Sequence, residues 1–213
     1  MVLLFFTGCA GEYAATAPAR TSPGKGVSIP EMSGHAGAEF VMASLPEEIY
    51  ATPAVNYTAN ARVGVFPFHE PDYAPGMGCV AGRILCDQLQ KRRVFREVAF
   101  QPEMPPMPLR DLIETARLRG LDLIITGRLS DYFEGSALLQ SRVSEIIQII
   151  SVQGGKPNVL WYAKACETGS PARSTDLIFF LSQGQQAPSA DMLMKRNAEK
   201  FCNMILECPR QRR

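Results

Sequence analysis

The chain has 213 residues, of which 46% are apolar and 20% charged, and its formal net charge is +1. That length supports one well-buried domain and is short for two, and the composition excludes wholesale disorder. The near-zero charge excludes a global field that would draw in nucleic acid or an anionic surface, and no run approaches the roughly 18 apolar residues needed to span a bilayer. A membrane link is therefore expected only at an end. The basic stretches Lys91–Arg93 and Arg210–Arg213 read as a solvated helix end and a terminal tail.

At the amino terminus an apolar stretch, Val2-Leu3-Leu4-Phe5-Phe6, is followed by small residues and then Cys9. This is how a secretory signal presents its cleavage site. Phe6-Thr7-Gly8-Cys9 resembles the lipobox of bacterial lipoproteins, in which the cysteine becomes the lipidated first residue of the mature protein. The apolar region is short and no Lys or Arg precedes it, so residues 1–8 are expected to be a truncated signal, with the true start upstream. Ala10, where an aspartate could stand, matches the enterobacterial pattern sent to the outer membrane.

From Glu12 to about Asn60 the chain is rich in Ala, Pro, Gly, Ser and Thr, without a sustained period of 2 or 3.6. Such a segment buries too little apolar surface to offset its ordering entropy. Residues 9–60 are therefore expected to be a lipidated cysteine and a disordered, flexible tether, with Phe40-Val41-Met42 and Glu48-Ile49-Tyr50 able to dock on the domain or on a neighbouring subunit.

The folded body is expected over residues 61–208, followed by a basic tail at 209–213. Arg62–Phe68 is a short β-rich run stopped by proline. Met77, Val80, Ala81, Ile84, Leu85 and Leu89 recur at three and four, predicting a helix with one apolar face. Val94–Phe100 predicts a second strand, and a proline-rich turn over Pro102–Pro108 opens a second helix carrying Leu109, Leu112, Ile113 and Ala116. Gly120 stands where a glycine ends a helix. Leu121–Gly127 is almost wholly apolar, which predicts a central strand. Val143–Val152 and Val159–Ala165 predict a hairpin around Gly154–Asn158. Ser189 and Asp191 suit the start of a last helix reaching Leu206. The order β-α-β-α-β-β-β-α predicts a single α/β domain, a mixed β-sheet with three packed helices.

Val63-Gly64-Val65-Phe66-Pro67-Phe68, Gly120–Leu129 and the hairpin Ser141–Trp161 ending Val159-Leu160-Trp161 resemble corresponding strands of the TolB amino-terminal-like lipoproteins. That group includes CsgG, the polysaccharide-export lipoprotein PelC and the peptidoglycan-synthase activator LpoB. The resemblance covers roughly residues 61–206. It implies the same fold and a non-enzymatic envelope protein that forms rings or docks on larger machines.

Four constellations invite chemistry. Gly76-Met77-Gly78-Cys79-Val80-Ala81-Gly82 mimics a dinucleotide turn, but His69–Pro75 separate it from the strand, whereas pyrophosphate binding needs the glycines directly after it. The expected role is close helix–sheet packing. His69, Glu70 and Asp72 could form a weak metal site, yet the other histidine, His35, lies in the tether, so solvated loop residues are expected and no metal is assigned. Asp122, Glu145 and Asp176 show no pairing by spacing and read as surface or strand-end carboxylates. Among the remaining cysteines, Cys79, Cys86, Cys166, Cys202 and Cys208, no C-x-x-C occurs. An oxidising periplasm favours a bridge, with Cys202–Cys208 by local unwinding as the first pairing to consider.

One apolar run stays unassigned to the family strands: Leu177, Ile178, Phe179, Phe180 and Leu181. It reads either as a core strand or as an apolar strip that docks on a partner or a neighbouring protomer. The expectation is a non-catalytic lipoprotein on the periplasmic face of the outer membrane, without cofactor. It would serve an envelope export or secretion machine through an envelope protein partner and through self-association. Activation or scaffolding of peptidoglycan synthesis is the alternative role, and a small periplasmic hydrolase or nucleotide-dependent enzyme is the alternative of another class.

Overall fold

The computed structural model describes residues 41–44, 48–51, 60–103, 107–153, 158–172, 175–177, 180–182 and 185–207. In chain order these form strands β1 (Val41–Ser44), β2 (Glu48–Ala51) and β3 (Arg62–Val65), helix α1 (Met77–Lys91), strand β4 (Glu97–Phe100) and helix α2 (Leu109–Leu118). Strands β5 (Leu123–Phe133), β6 (Ser141–Ser151) and β7 (Asn158–Ser170) follow, then the short β8 (Thr175–Leu177) and β9 (Phe180–Ser182), and finally helix α3 (Ala190–Glu207). The expected α/β class, mixed sheet and three helices are all present.

The main sheet runs β1-β7-β6-β5-β3-β4, with β2 also paired to β7. β3 is parallel to both β4 and β5, and β5, β6 and β7 are antiparallel. Parallel neighbours need a crossover, which α1 and α2 supply. The hairpin strands reach further than their apolar cores indicated. β5 extends to Phe133 and β7 to Ser170, because the added residues continue the backbone ladders with β6.

Within the expected tether, Val41–Ser44 and Glu48–Ala51 dock on the domain as strands, as was allowed for Phe40-Val41-Met42 and Glu48-Ile49-Tyr50. Val41 pairs with Ser170 and Ser44 with Glu167, then Glu48 with Lys164 and Ala51 with Trp161. Backbone pairing along the otherwise open edge of β7 satisfies its N–H and C=O groups, and that requires no apolar period in the added segment. Cys9, the signal residues and the basic tail lie outside the described residues.

α1 and α3 pack together on one sheet face, α3 over β6 and β7 and α1 over β3, β4 and β5. Between them sits the larger core, including Val63, Val65, Leu85, Leu89, Ile125, Ile147, Trp161, Leu193 and Phe201. α1 approaches the sheet closely because Gly78 carries no side chain: a Cβ there would lie 2.0 Å from the Phe68 carbonyl oxygen. This is the packing role expected for the glycine cluster. The other face holds a smaller core of Phe66, Leu112, Ile113, Ala116, Ile124, Ile150 and Val152 beneath α2. Gly120 ends α2 with φ +67, a left-handed conformation that glycine adopts without strain. At the start of α3, Ser189 Oγ accepts from Met192 N at 3.4 Å, and Glu134 accepts from Ala190 N at 2.9 Å. None of the described helices is long and apolar enough to cross a membrane.

Candidate functional site

α2 covers only one end of its sheet face. Next to it, where no other described helix lies over β5, β6 and β7, a half-open groove of about 370 Å³ forms. Its apolar wall comes from Met107, Leu109 and Leu112 at the start of α2 and from Ile146 on β6. Its polar groups are Thr126 and Arg128 on β5, Gln148 on β6, Tyr162 on β7 and His69. Strand alternation explains the set: successive residues of β5 and β6 face opposite sides, so Thr126 and Arg128 share this face while Ile125 and Leu129 enter the large core. An apolar wall with a few convergent polar groups is the usual make-up of a binding site.

His69 is exposed and continues the β3 line beyond Val65. His69 N donates to Gly127 O at 2.9 Å, and Leu129 N donates to His69 O at 2.8 Å. The backbone therefore clamps the residue beside Arg128, with which it forms an isolated parallel bridge. Among the described residues, Arg128 forms no ion pair, so its guanidinium faces the groove as an uncompensated cation.

His69, Glu70 and Asp72 do not act together. Both oxygens of Glu70 are engaged by the start of α1, accepting from Gly76 N at 2.8 Å and Gly78 N at 2.7 Å. The amides that a pyrophosphate would use are thus occupied by the protein's own carboxylate. Asp122 is a strand-end group, its Oδ2 accepting from Arg62 N at 2.9 Å. Asp176 lies in β8 opposite Leu181.

Glu145 corrects the reading of a surface carboxylate. It faces α3 from β6, is 2% exposed, and burial pushes its carboxyl up to about 8, against a hydrogen bond from Asn197 that pulls the other way. Two residues along β7 from Ala165, which pairs with Glu145, Glu167 is wholly out of water and paired to Lys200 Nζ at 2.6 Å and Arg196 Nε at 3.7 Å on α3. Asn197 also donates to Val143 O at 3.4 Å. This polar cluster lies between α3 and the sheet and is half open at one end, where Arg196 and, to a lesser degree, Lys200 reach water.

Cys202 is a free buried thiol within α3, which continues unbroken to Glu207. The proposed unwinding toward Cys208, which lies outside the described residues, does not occur through Glu207. Cys79, Cys86 and Cys166 are also free. Burial raises the Cys86 and Cys202 thiols to about 11, which suppresses the reactive thiolate.

Leu177, Phe180 and Leu181 belong to the separate β8–β9 hairpin, with Leu177 opposite Phe180. Ile178 and Phe179 lie outside the described residues. The described residues of the strip therefore form no strand of the main sheet.

No family model matches the chain, and no curated protein matches it. Among solved structures, the PelC dodecamer from Paraburkholderia phytofirmans is similar with TM-score 0.56 and 16% identity, over 76% of this chain and 97% of that one. A point variant of that dodecamer gives TM-score 0.55 and 16% identity, over 75% and 98%. Lipoprotein GNA1162 from Neisseria meningitidis aligns with TM-score 0.40 and 15% identity, over 67% and 99%. The likeness to PelC bears out the fold implied by the family resemblance.

Proposed function

We propose that this chain is a non-catalytic lipoprotein of the bacterial envelope, anchored to the outer membrane through Cys9, that assembles with itself and serves an export machine by binding. The observation that carries the reading is the fold shared with PelC over 97% of that chain, in a protein that forms a dodecamer. The groove supports recognition as its means of action, since an apolar wall beside the Arg128 guanidinium suits a ligand's contacts. Leu177–Leu181 is assigned as a contact for an envelope partner.

The test is fractionation of cells making the chain from its native start, followed by cross-linking in the intact envelope. Detergent partitioning, fatty-acid incorporation, release by Cys9→Ser and cross-linked multimers are expected. Equal partitioning of both forms would end the lipoprotein reading, and an exclusively monomeric envelope protein would end the assembly reading.

A further inference from the structure

The end of the β5–β6 hairpin carries a second surface that the groove does not include. Leu138 is 90% exposed, Leu139 56% and Phe133 43%. These side chains project from a firmly held loop. Ser136 N donates to Leu139 O at 2.9 Å, Ser136 Oγ accepts from Leu138 N and Leu139 N at 3.2 Å, and Ala187 N donates to Ser136 O at 3.1 Å. Ser141 Oγ ties the base, accepting from Gly135 N at 2.9 Å and donating to Pro188 O at 2.5 Å. Two leucines held out to water by a tied loop lose little further freedom when they are buried against another surface.

Carboxylates predominate around the leucine surface, where Arg142 beside Leu139 and Phe133 is paired to Asp131, and a guanidinium stands in the groove. The leucine loop is flanked by Glu134, whose carboxylate sits at the start of α3, and by Asp191 in the first turn of that helix. The groove carries the Arg128 guanidinium as its charged group and is walled by Met107, Leu109 and Leu112. Its volume of about 370 Å³ admits two leucine side chains, each of which is on the order of 100 Å³ or less. The two surfaces lie apart along the same strands, the groove at Thr126–Arg128 and the loop beyond Phe133, so one molecule cannot close them on each other.

We propose that the occupant of the groove is a second copy of this chain, whose Leu138 and Leu139 enter beside Met107 and Leu109 while Glu134 meets Arg128. The contact joins two different surfaces, so it is head-to-tail, and it propagates into a ring or an open chain of protomers. This rests on the assembly reading above and specifies its contact.

The experiment uses the full chain in sedimentation velocity across a concentration series, with wild type, Leu138→Glu/Leu139→Glu and Arg128→Glu. Wild type is expected to assemble. Each variant should melt as wild type does yet associate at least about tenfold more weakly, as expected for removing buried leucine contacts. An equimolar mixture of the two variants is expected to form heterodimers and nothing larger, because the loop variant keeps its groove and the groove variant keeps its loop. Wild-type assembly that neither variant alters would overturn this contact and leave the assembly reading standing. A wild-type chain monomeric at every concentration would overturn both. Binding of the full chain to phospholipid vesicles that is lost in the leucine variant, with assembly unchanged, would reassign the loop to a lipid surface and overturn the proposal.

Discussion

The ammonium of Lys200 on α3 lies 2.6 Å from the carboxylate of Glu167 on β7, whose side chain is fully removed from water. A charge in that setting depends on its partner, since an uncompensated buried ion costs several kcal/mol. Lys200→Met leaves Glu167 to Arg196, whose Nε stands at 3.7 Å. The expected loss is about 2–3 kcal/mol, just under the range for breaking a fully buried pair, because Arg196 and solvent at the half-open end compensate in part. Urea unfolding checks this as a lowered midpoint with an unchanged slope.

Glu145 makes stability depend on pH in an unusual direction. Its folded carboxyl titrates near 8 against an ordinary value of 4.5, so between these values the folded state holds the proton and the unfolded state does not. Stability from this group is present in full below about pH 4.5 and is lost as pH rises to about 8. Glu145→Gln is expected to flatten the decline between pH 5 and 8 and to be the more stable protein at pH 8.5, by an amount on the order of a few kcal/mol. Thermal unfolding of both proteins over that range is the measurement, and parallel curves would show that the carboxyl ionises without penalty.

Two glycines should respond very differently to alanine. At Gly78 the new Cβ meets the Phe68 carbonyl at 2.0 Å, a rigid backbone atom, so α1 must move off the sheet. A loss of about 3 kcal/mol or more is expected, at the upper end of overpacking costs. At Gly120 the strain is that of φ +67, and the nearest atom is the flexible Arg62 guanidinium at 3.0 Å. That change should cost about 1 kcal/mol. Denaturation midpoints rank the two, and equal losses would contradict the close approach of α1.

Phe180 begins β9, in a hairpin separate from the main sheet. Phe180→Ser and Phe179→Ser are expected to weaken capture of an envelope partner while leaving the melting temperature within about 2 °C of wild type, the shift that a few tenths of a kcal/mol would produce. A drop of many degrees with capture intact would make the segment part of the core.

The helices were legible because their buried residues recur at three and four, as Leu85 and Leu89 do in α1. The central strands were legible because Leu123-Ile124-Ile125 has both faces buried. Glu145 was misread because its burial depends on α3 crossing β6, a contact between residues 145 and 197 that no local pattern encodes. The groove escaped notice for a related reason. Thr126, Arg128, Ile146 and Gln148 sit at alternate positions of two strands, a signal that could have been read as one shared face. What the sequence does not state is that α2 stops at Leu118 and leaves part of that face without a described helix over it.

The strand pair along β7 also determines how the domain meets mechanical load. Traction applied through the residues before Val41 enters the fold at Ser170, the far end of β7. Pulled outward, the segment would come away pair by pair, first the four pairs of β1 and then the four of β2. Each step loads a few hydrogen bonds at a time, so the rupture force is low. β3 to β7 would keep their ladders and both cores throughout. Under such a load the edge segment would yield length before the body of the protein bears strain.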